Sequence, residues 1–158
     1  MQELLHSMRK KSGRNGWMAI KLDLEKAYDR MRWCFNQGTL ERMQLPMIMT
    51  STIMRCITSC SLNILWNKEP TETSPPTPVI HREDPLSPYI FAACMERLSH
   101  LIEKEYQVGR WKALQASHGG PKSSHLIFAD DVVLFTEAAL DQARVIQDCL
   151  DRFCSTSG

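Results

Sequence analysis

Apolar residues in this chain gather into short runs that end on acid and into longer stretches with helical spacing. The run Trp17-Met18-Ala19-Ile20-Lys21-Leu22-Asp23 begins apolar and turns polar and helical after Asp23, which predicts a strand over 17–23. Farther on, His125-Leu126-Ile127-Phe128 and Val132-Val133-Leu134-Phe135 flank Ala129-Asp130-Asp131. Strand-forming residues on both sides of so short a break predict two strands and a tight turn, with both carboxylates at the tip. Between these regions Leu86, Ile90, Phe91, Cys94, Leu98, Leu101 and Ile102 recur at helical spacing and predict a helix over about 85–105. Asp84 and Pro85 suit its start, with a capping side chain followed by a proline where no amide is needed.

The remaining segments complete an outline. Helices are expected over about 2–11, about 24–44 with a break near Pro46, about 47–59 and about 137–153. Cys60 to Asn67 alternates well enough for a strand. Glu69 to Pro78 holds four prolines and three threonines and reads as a loop, and Gly119-Gly120-Pro121 closes a turn-rich segment. Strands mixed with helices and hairpins, without strict βαβ alternation, indicate an α+β fold.

Composition narrows this only a little. The 158 residues make one domain's worth of chain, and 43% apolar residues suit a globular core. The expectation is a single domain over 1–158, with no bilayer-spanning run and no secretory leader. A net charge of +1 does not make the whole chain a polyanion binder. Arg9-Lys10-Lys11 and Arg14 form a short basic patch that reads equally as a phosphate contact or a solvated face. Cys34, Cys56, Cys60, Cys94, Cys149 and Cys154 lack the spacing of a zinc site and read as reduced, mostly buried thiols.

The acidic positions carry the chemistry. Adjacent carboxylates repel, so two at the rim of an apolar hairpin gain most when a cation sits between them. Mg²⁺ suits such a place, because it takes oxygen ligands from one or two carboxylates and from substrate phosphates. Asp130 and Asp131 also fit an ordinary turn, and Asp23 also fits a helix cap. Together the three place carboxylates on strand ends, enough to hold two divalent ions. Two ions about 3.5–4 Å apart can stabilise the attacking and leaving oxygens of an in-line phosphoryl displacement.

The segments KLDLEKAYDR, DPLSPYIFAACMERLSHLIE and HLIFADDVVLF occur in this order. Together they resemble the palm of reverse transcriptases from LINE-type (non-LTR) retrotransposons, abundant in plant genomes. The resemblance runs over essentially the whole chain. It implies an α+β palm, a small antiparallel sheet backed by helices, here incomplete and without most of the fingers and the thumb. It also implies an RNA-directed DNA polymerase with two Mg²⁺ ions, for which Mn²⁺ can substitute. Its partners would be an RNA template, a DNA primer and deoxynucleoside triphosphates, with no membrane, in the nucleus and cytoplasm. By the resemblance Asp23, Asp130 and Asp131 are the catalytic carboxylates and metal ligands. The carbonyl of Leu24 lies near the ions, and Tyr28 packs under the incoming sugar and disfavours a 2′-hydroxyl. Without the family, Tyr28 reads as a core residue. Arg82 and Asp84 belong to the nucleotide-binding loop, and Asp29 reads as a cap or loop support.

The middle motif departs from its family. Where Arg-Gly-Ile-Arg-Gln-Gly-Asp-Pro-Leu-Ser-Pro is usual, this chain has Pro78-Val79-Ile80-His81-Arg82-Glu83-Asp84-Pro85-Leu86-Ser87-Pro88. Val79 and Glu83 occupy the two glycine positions. A valine is a poor substitute where positive φ is required, and Glu83 brings negative charge to a loop that meets a triphosphate. Arg82 replaces a glutamine that offers both a donor and an acceptor. Polymerase activity is therefore expected to be greatly reduced. The family also carries fingers residues upstream, a thumb downstream and often an endonuclease, which would have to come from elsewhere. Metal ligands without a substrate clamp should give little rate. Three readings stand: a polymerase palm, a catalytically inactive retroelement fragment, and a non-enzymatic remnant that binds nucleic acid or protein.

Overall fold

The computed structural model describes residues 8, 16–24, 30–59, 65–67, 69–70, 84–115 and 120–158. In chain order the elements are β1 (Trp17–Asp23), α1 (Trp33–Arg42), α2 (Met47–Thr58), β2 (Leu65–Trp66), β3 (Glu69–Pro70), α3 (Ser87–Gln107), β4 (Leu114–Gln115), β5 (Lys122–Ser123), β6 (His125–Phe128), β7 (Asp131–Glu137) and α4 (Leu140–Ser157). This is the α+β class that the hydrophobic pattern predicts. No helix among the described residues is long and apolar enough to cross a membrane.

The chain divides into two compact units, one of Met1–Glu25 with Met95–Thr156 and one of Lys26–Cys94 with Ser157–Gly158. The first is built on a three-stranded antiparallel sheet in the order β1-β7-β6. β7 is the central strand, and Val132, Val133, Leu134, Phe135 and Thr136 are all buried. A central strand covered on both faces reads as a continuous apolar run, which is what the sequence shows. β1 is an edge strand and alternates instead: Ala19, Lys21 and Asp23 are exposed, while Met18, Ile20 and Leu22 are half-buried.

The two faces of this sheet are finished differently. On one face Ser99 of α3 reaches His125, and Gln142 of α4 accepts a hydrogen bond from Thr136 Oγ1 at 2.7 Å. Both helices thus reach this face, and Met95, Leu98 and Ile102 of α3 and Ile146, Cys149 and Phe153 of α4 are buried. The buried Glu105 carboxylate fastens α3 to α4 by accepting from Arg152 at 2.6 Å, and it also pairs with Arg110. Burial raises the Glu105 pKa, but the hydrogen bonds from Arg152 and Arg110 outweigh it and leave the pKa below its ordinary value. On the other face Leu114 of β4 packs with Val133 and Phe135, joined by Met8 and Trp17. That cover lies over one end of the sheet, and the opposite end carries Asp23 and Asp131.

In the second unit, Phe35, Thr39, Leu40, Ile57, Ile90, Phe91 and Cys94 are buried together with Asn36. The Cys94 thiol donates to Asn36 Oδ1 at 3.2 Å, so the buried amide is partnered. Asp84 starts the turn before α3 as its sequence suggests, since its Oδ1 accepts from the Leu86 N–H at 2.8 Å.

Several features differ from expectation. The helix expected over 24–44 is not continuous, because Arg32 is extended (φ −69°, ψ 146°). Its N–H bonds to Ser157 O at 2.9 Å instead of joining a helical ladder, and α1 starts only at Trp33. Of the strand expected over 60–67, Leu65–Trp66 is described. It turns at Asn67, at φ 55°, to pair with Glu69–Pro70, where a loop was expected. The last helix begins at Leu140, because Glu137 still pairs with Trp17 in the sheet. Among the described cysteines, Cys34, Cys56 and Cys154 are exposed and Cys94 and Cys149 buried, so the thiols are not mostly buried. The first helix expected apart from Met8, Cys60, the rest of the expected loop from 71 to 78, and the positions Tyr28, Asp29, Val79, His81, Arg82 and Glu83 lie outside the described residues.

Candidate active site

Sheet register brings two of the three carboxylates together. Asp23 is the last residue of β1 and Asp131 the first of β7, and they are direct partners in the antiparallel ladder. Direct partners project from the same face, with Cα atoms about 4.5–5.5 Å apart. On its other side Asp131 pairs with Phe128 of β6. A row of Phe128, Asp131 and Asp23, all exposed, thus crosses this end of the sheet. Phe128 is 83% exposed, which is unusual for a phenylalanine in a sheet.

Asp130 sits beside this row, in the two-residue turn Ala129-Asp130 between the paired Phe128 and Asp131. Ala129 has φ 53°. Hairpin turns of two residues ask for positive φ, and glycine or asparagine normally supplies it. An alanine there costs about 1–2 kcal/mol, and such strain clusters where backbone geometry serves function. Leu24 follows Asp23 directly and is half-buried.

A cation already occupies part of this edge. Lys21 lies two residues before Asp23, on the same face of β1, and its Nζ stands 2.9 Å from Asp131 Oδ1. The hydrogen bond to Asp131 and that residue's charge raise the Lys21 pKa against the opposing effect of burial, with lesser help from the charges of Asp23 and Asp130. Among the described residues, no group of three or more His, Cys, Asp or Glu side chains is arranged to hold a metal ion. The donors nevertheless fit a hard divalent cation in kind: three carboxylates at one sheet edge, two of them face to face, one already holding an ammonium group.

Two features behind this edge were not legible as site residues. His125 of β6 is held on both ring nitrogens, Nε2 by Ser99 Oγ at 2.7 Å and Nδ1 by Ser124 Oγ at 2.9 Å. Burial lowers its pKa, against the charges of Glu103 and Glu96. The folded state therefore prefers the neutral ring more strongly than the unfolded chain does. Its contribution to stability is present above the ordinary value of 6.5 and is lost as pH falls through the lower folded value. Melting temperatures are expected to fall as pH drops below about 6.5, and this segment of the pH dependence is expected to vanish in His125→Gln. The second feature is Gln142, whose Oε1 accepts from the Lys112 N–H at 2.9 Å and from Thr136, while its Nε2 donates to Arg110 O at 2.9 Å. It locks α4 to the central strand.

The family sequence model described as "Reverse transcriptase (RNA-dependent DNA polymerase)" matches residues 1–158. The chain belongs to the reverse transcriptase family. An uncharacterized mitochondrial protein of Arabidopsis thaliana is 38% identical over 74 residues, covering 46% of this chain and 61% of that protein. Within the reverse transcriptase family the small antiparallel sheet backed by helices is the palm, and the described sheet has this form. Reverse transcriptases work on nucleic-acid templates and nucleotides with divalent metals, which suits an edge of exposed carboxylates.

Proposed function

We propose that this chain is the palm of an RNA-directed DNA polymerase derived from a non-LTR retrotransposon. Asp23, Asp130 and Asp131 would hold two Mg²⁺ ions, with the Leu24 carbonyl beside them. The observation that carries this reading is the facing pair Asp23 and Asp131 next to the Asp130 turn, in a chain that its family covers from end to end. When bound, the ions would supply a deprotonated primer hydroxyl and neutralise charge on the departing pyrophosphate. The chain's own part is positional. β1 and β7 hold two carboxylates at fixed register, and the strained turn holds the third. Phe128 offers an exposed ring on which a nucleotide base can stack. Tyr28 would discriminate the sugar, and Arg82 and Asp84 would contribute to the nucleotide loop. RNA template, DNA primer and deoxynucleoside triphosphates are the proposed partners.

A second reading, a retroelement chain that has lost catalysis, is favoured by Val79 and Glu83 at the two glycine positions of the middle motif. Both readings differ from a merely structural acidic edge, and melting in the presence of Mg²⁺ or Mn²⁺ separates them from it. At ten times its dissociation constant, a cation bound only by the folded chain adds about 1.4 kcal/mol. That amounts to a rise in melting temperature of about 3–6 °C. The rise is expected in the native chain and absent in Asp130→Asn/Asp131→Asn. A chain that melts identically with and without the cation would refute the metal site.

A further inference from the structure

Among the described residues, Lys21 is the charged partner of the acidic edge, and its placement is specific. Strand alternation puts it on the face of Asp23, and the register puts it opposite Val133, diagonal to Asp131. A lysine on an edge strand often guards against pairing with another chain. Lys21 instead turns inward across the face, and its ammonium lies on Asp131 Oδ1 at 2.9 Å. Both side chains remain substantially exposed, at 65% and 51%. An exposed pair of this kind contributes little to folding. Its larger consequence is for what else Asp131 can bind.

We propose that Lys21 is the built-in counter-ion of the acidic edge and sets its affinity for divalent cations, because its ammonium occupies a carboxylate oxygen that an incoming ion must take. This rests on the metal-binding reading above. Asp23, Asp130 and Asp131 bring three negative charges to the edge, and Lys21 returns one positive charge. With the ammonium in place the acids can stay together before any ion arrives, and like-charge repulsion is partly offset. Cation binding then requires the ammonium to swing out to solvent, which its long exposed stem permits. Affinity is thereby lowered in two ways, by competition for one oxygen and by repulsion between the ammonium and the ion.

The test is Mn²⁺ binding by the full chain, read from the electron-spin resonance signal of the free ion. Lys21→Met keeps the apolar stem and removes the charge, and it is expected to tighten Mn²⁺ binding about fivefold or more at low salt. The gain should shrink as added salt shortens the Debye length. Lys21→Arg, which keeps the charge, is expected to bind as the native chain does. In an Asp131→Asn background the Lys21→Met gain should disappear, since the oxygen under competition is gone. Unchanged or weaker binding by Lys21→Met overturns the proposal. If the native chain still binds Mn²⁺ through Asp131 in that case, the metal site itself survives. Absence of Mn²⁺ binding in both the native chain and Lys21→Met overturns the proposal and the metal site together.

Discussion

Rewriting residues 78–83 as Arg-Gly-Ile-Arg-Gln-Gly is expected to raise nucleotide incorporation on the order of 10²-fold in a reverse transcriptase domain that contains this chain. The changes are Pro78→Arg, Val79→Gly, His81→Arg, Arg82→Gln and Glu83→Gly. Phosphoryl transfer asks the protein for position and charge stabilisation more than for covalent chemistry, and a displacement of about 1 Å can cost about 10²-fold. Two of the five changes should dominate. Glu83→Gly removes a carboxylate from the loop that, under the proposed function, would meet the triphosphate, and it restores the backbone freedom of glycine. Val79→Gly restores access to positive φ, which a β-branched residue all but forbids. Single-nucleotide extension of a DNA primer on an RNA template, compared before and after the rewriting, measures the gain. Equal rates would mean that the middle motif does not limit this chain. Asp84→Ala gives a useful contrast: it removes the hydrogen bond to the Leu86 N–H, so its cost should fall on the start of α3.

The candidate edge was more legible in the sequence than its surroundings. The strand 17–23 was legible to the residue, because Asp23 marks the point where alternation stops. The hairpin was legible because apolar runs on both sides of Ala129-Asp130 leave the chain no other short path. What pattern cannot supply is register across the sheet. Asp23 faces Asp131 only because β1 and β7 pair antiparallel in that alignment, and one residue of slip would send Asp23 to the opposite face. The same alignment turns Lys21 from a plain edge lysine into the partner of Asp131. Alternation alone already put Lys21 on the face of Asp23, so half of that relation was available from spacing. The break at Arg32 was hidden for a related reason. Its extended backbone is satisfied by Ser157, 125 positions later in the chain, and no local preference reports such a partner. Gln142 was hidden likewise, since a glutamine in an amphipathic helix reads as surface until its hydrogen bonds to Arg110, Lys112 and Thr136 are seen.

Trp111→Ala is expected to destabilise the chain by about 3–5 kcal/mol, the largest single-residue loss among the described positions. Trp111 is 2% exposed, in the segment between α3 and β4. Its indole N–H donates to the carbonyl of Phe135 at 3.0 Å, and its own backbone N–H donates to Glu105 O at 3.0 Å. The ring thus ties the central strand to the end of the helix that carries the Glu105 clamp. Truncation leaves a cavity beside β7 and an unpaired carbonyl, and neither can be filled by solvent at low cost. Trp111→Phe separates these effects, because it keeps most of the apolar volume and loses only the hydrogen bond. It is expected to cost about 1–3 kcal/mol. Urea unfolding followed by circular dichroism gives both values, with the midpoint shifting and the slope unchanged. A loss below about 1 kcal/mol for Trp111→Ala would contradict the packing of this unit. The consequence for function follows from geometry. Phe135 and Asp131 share β7, so the strand that Trp111 anchors at one end presents a carboxylate at the other. If that strand is held from its buried end, the stabilisation by Mn²⁺ should shrink in Trp111→Ala even though no carboxylate has been touched.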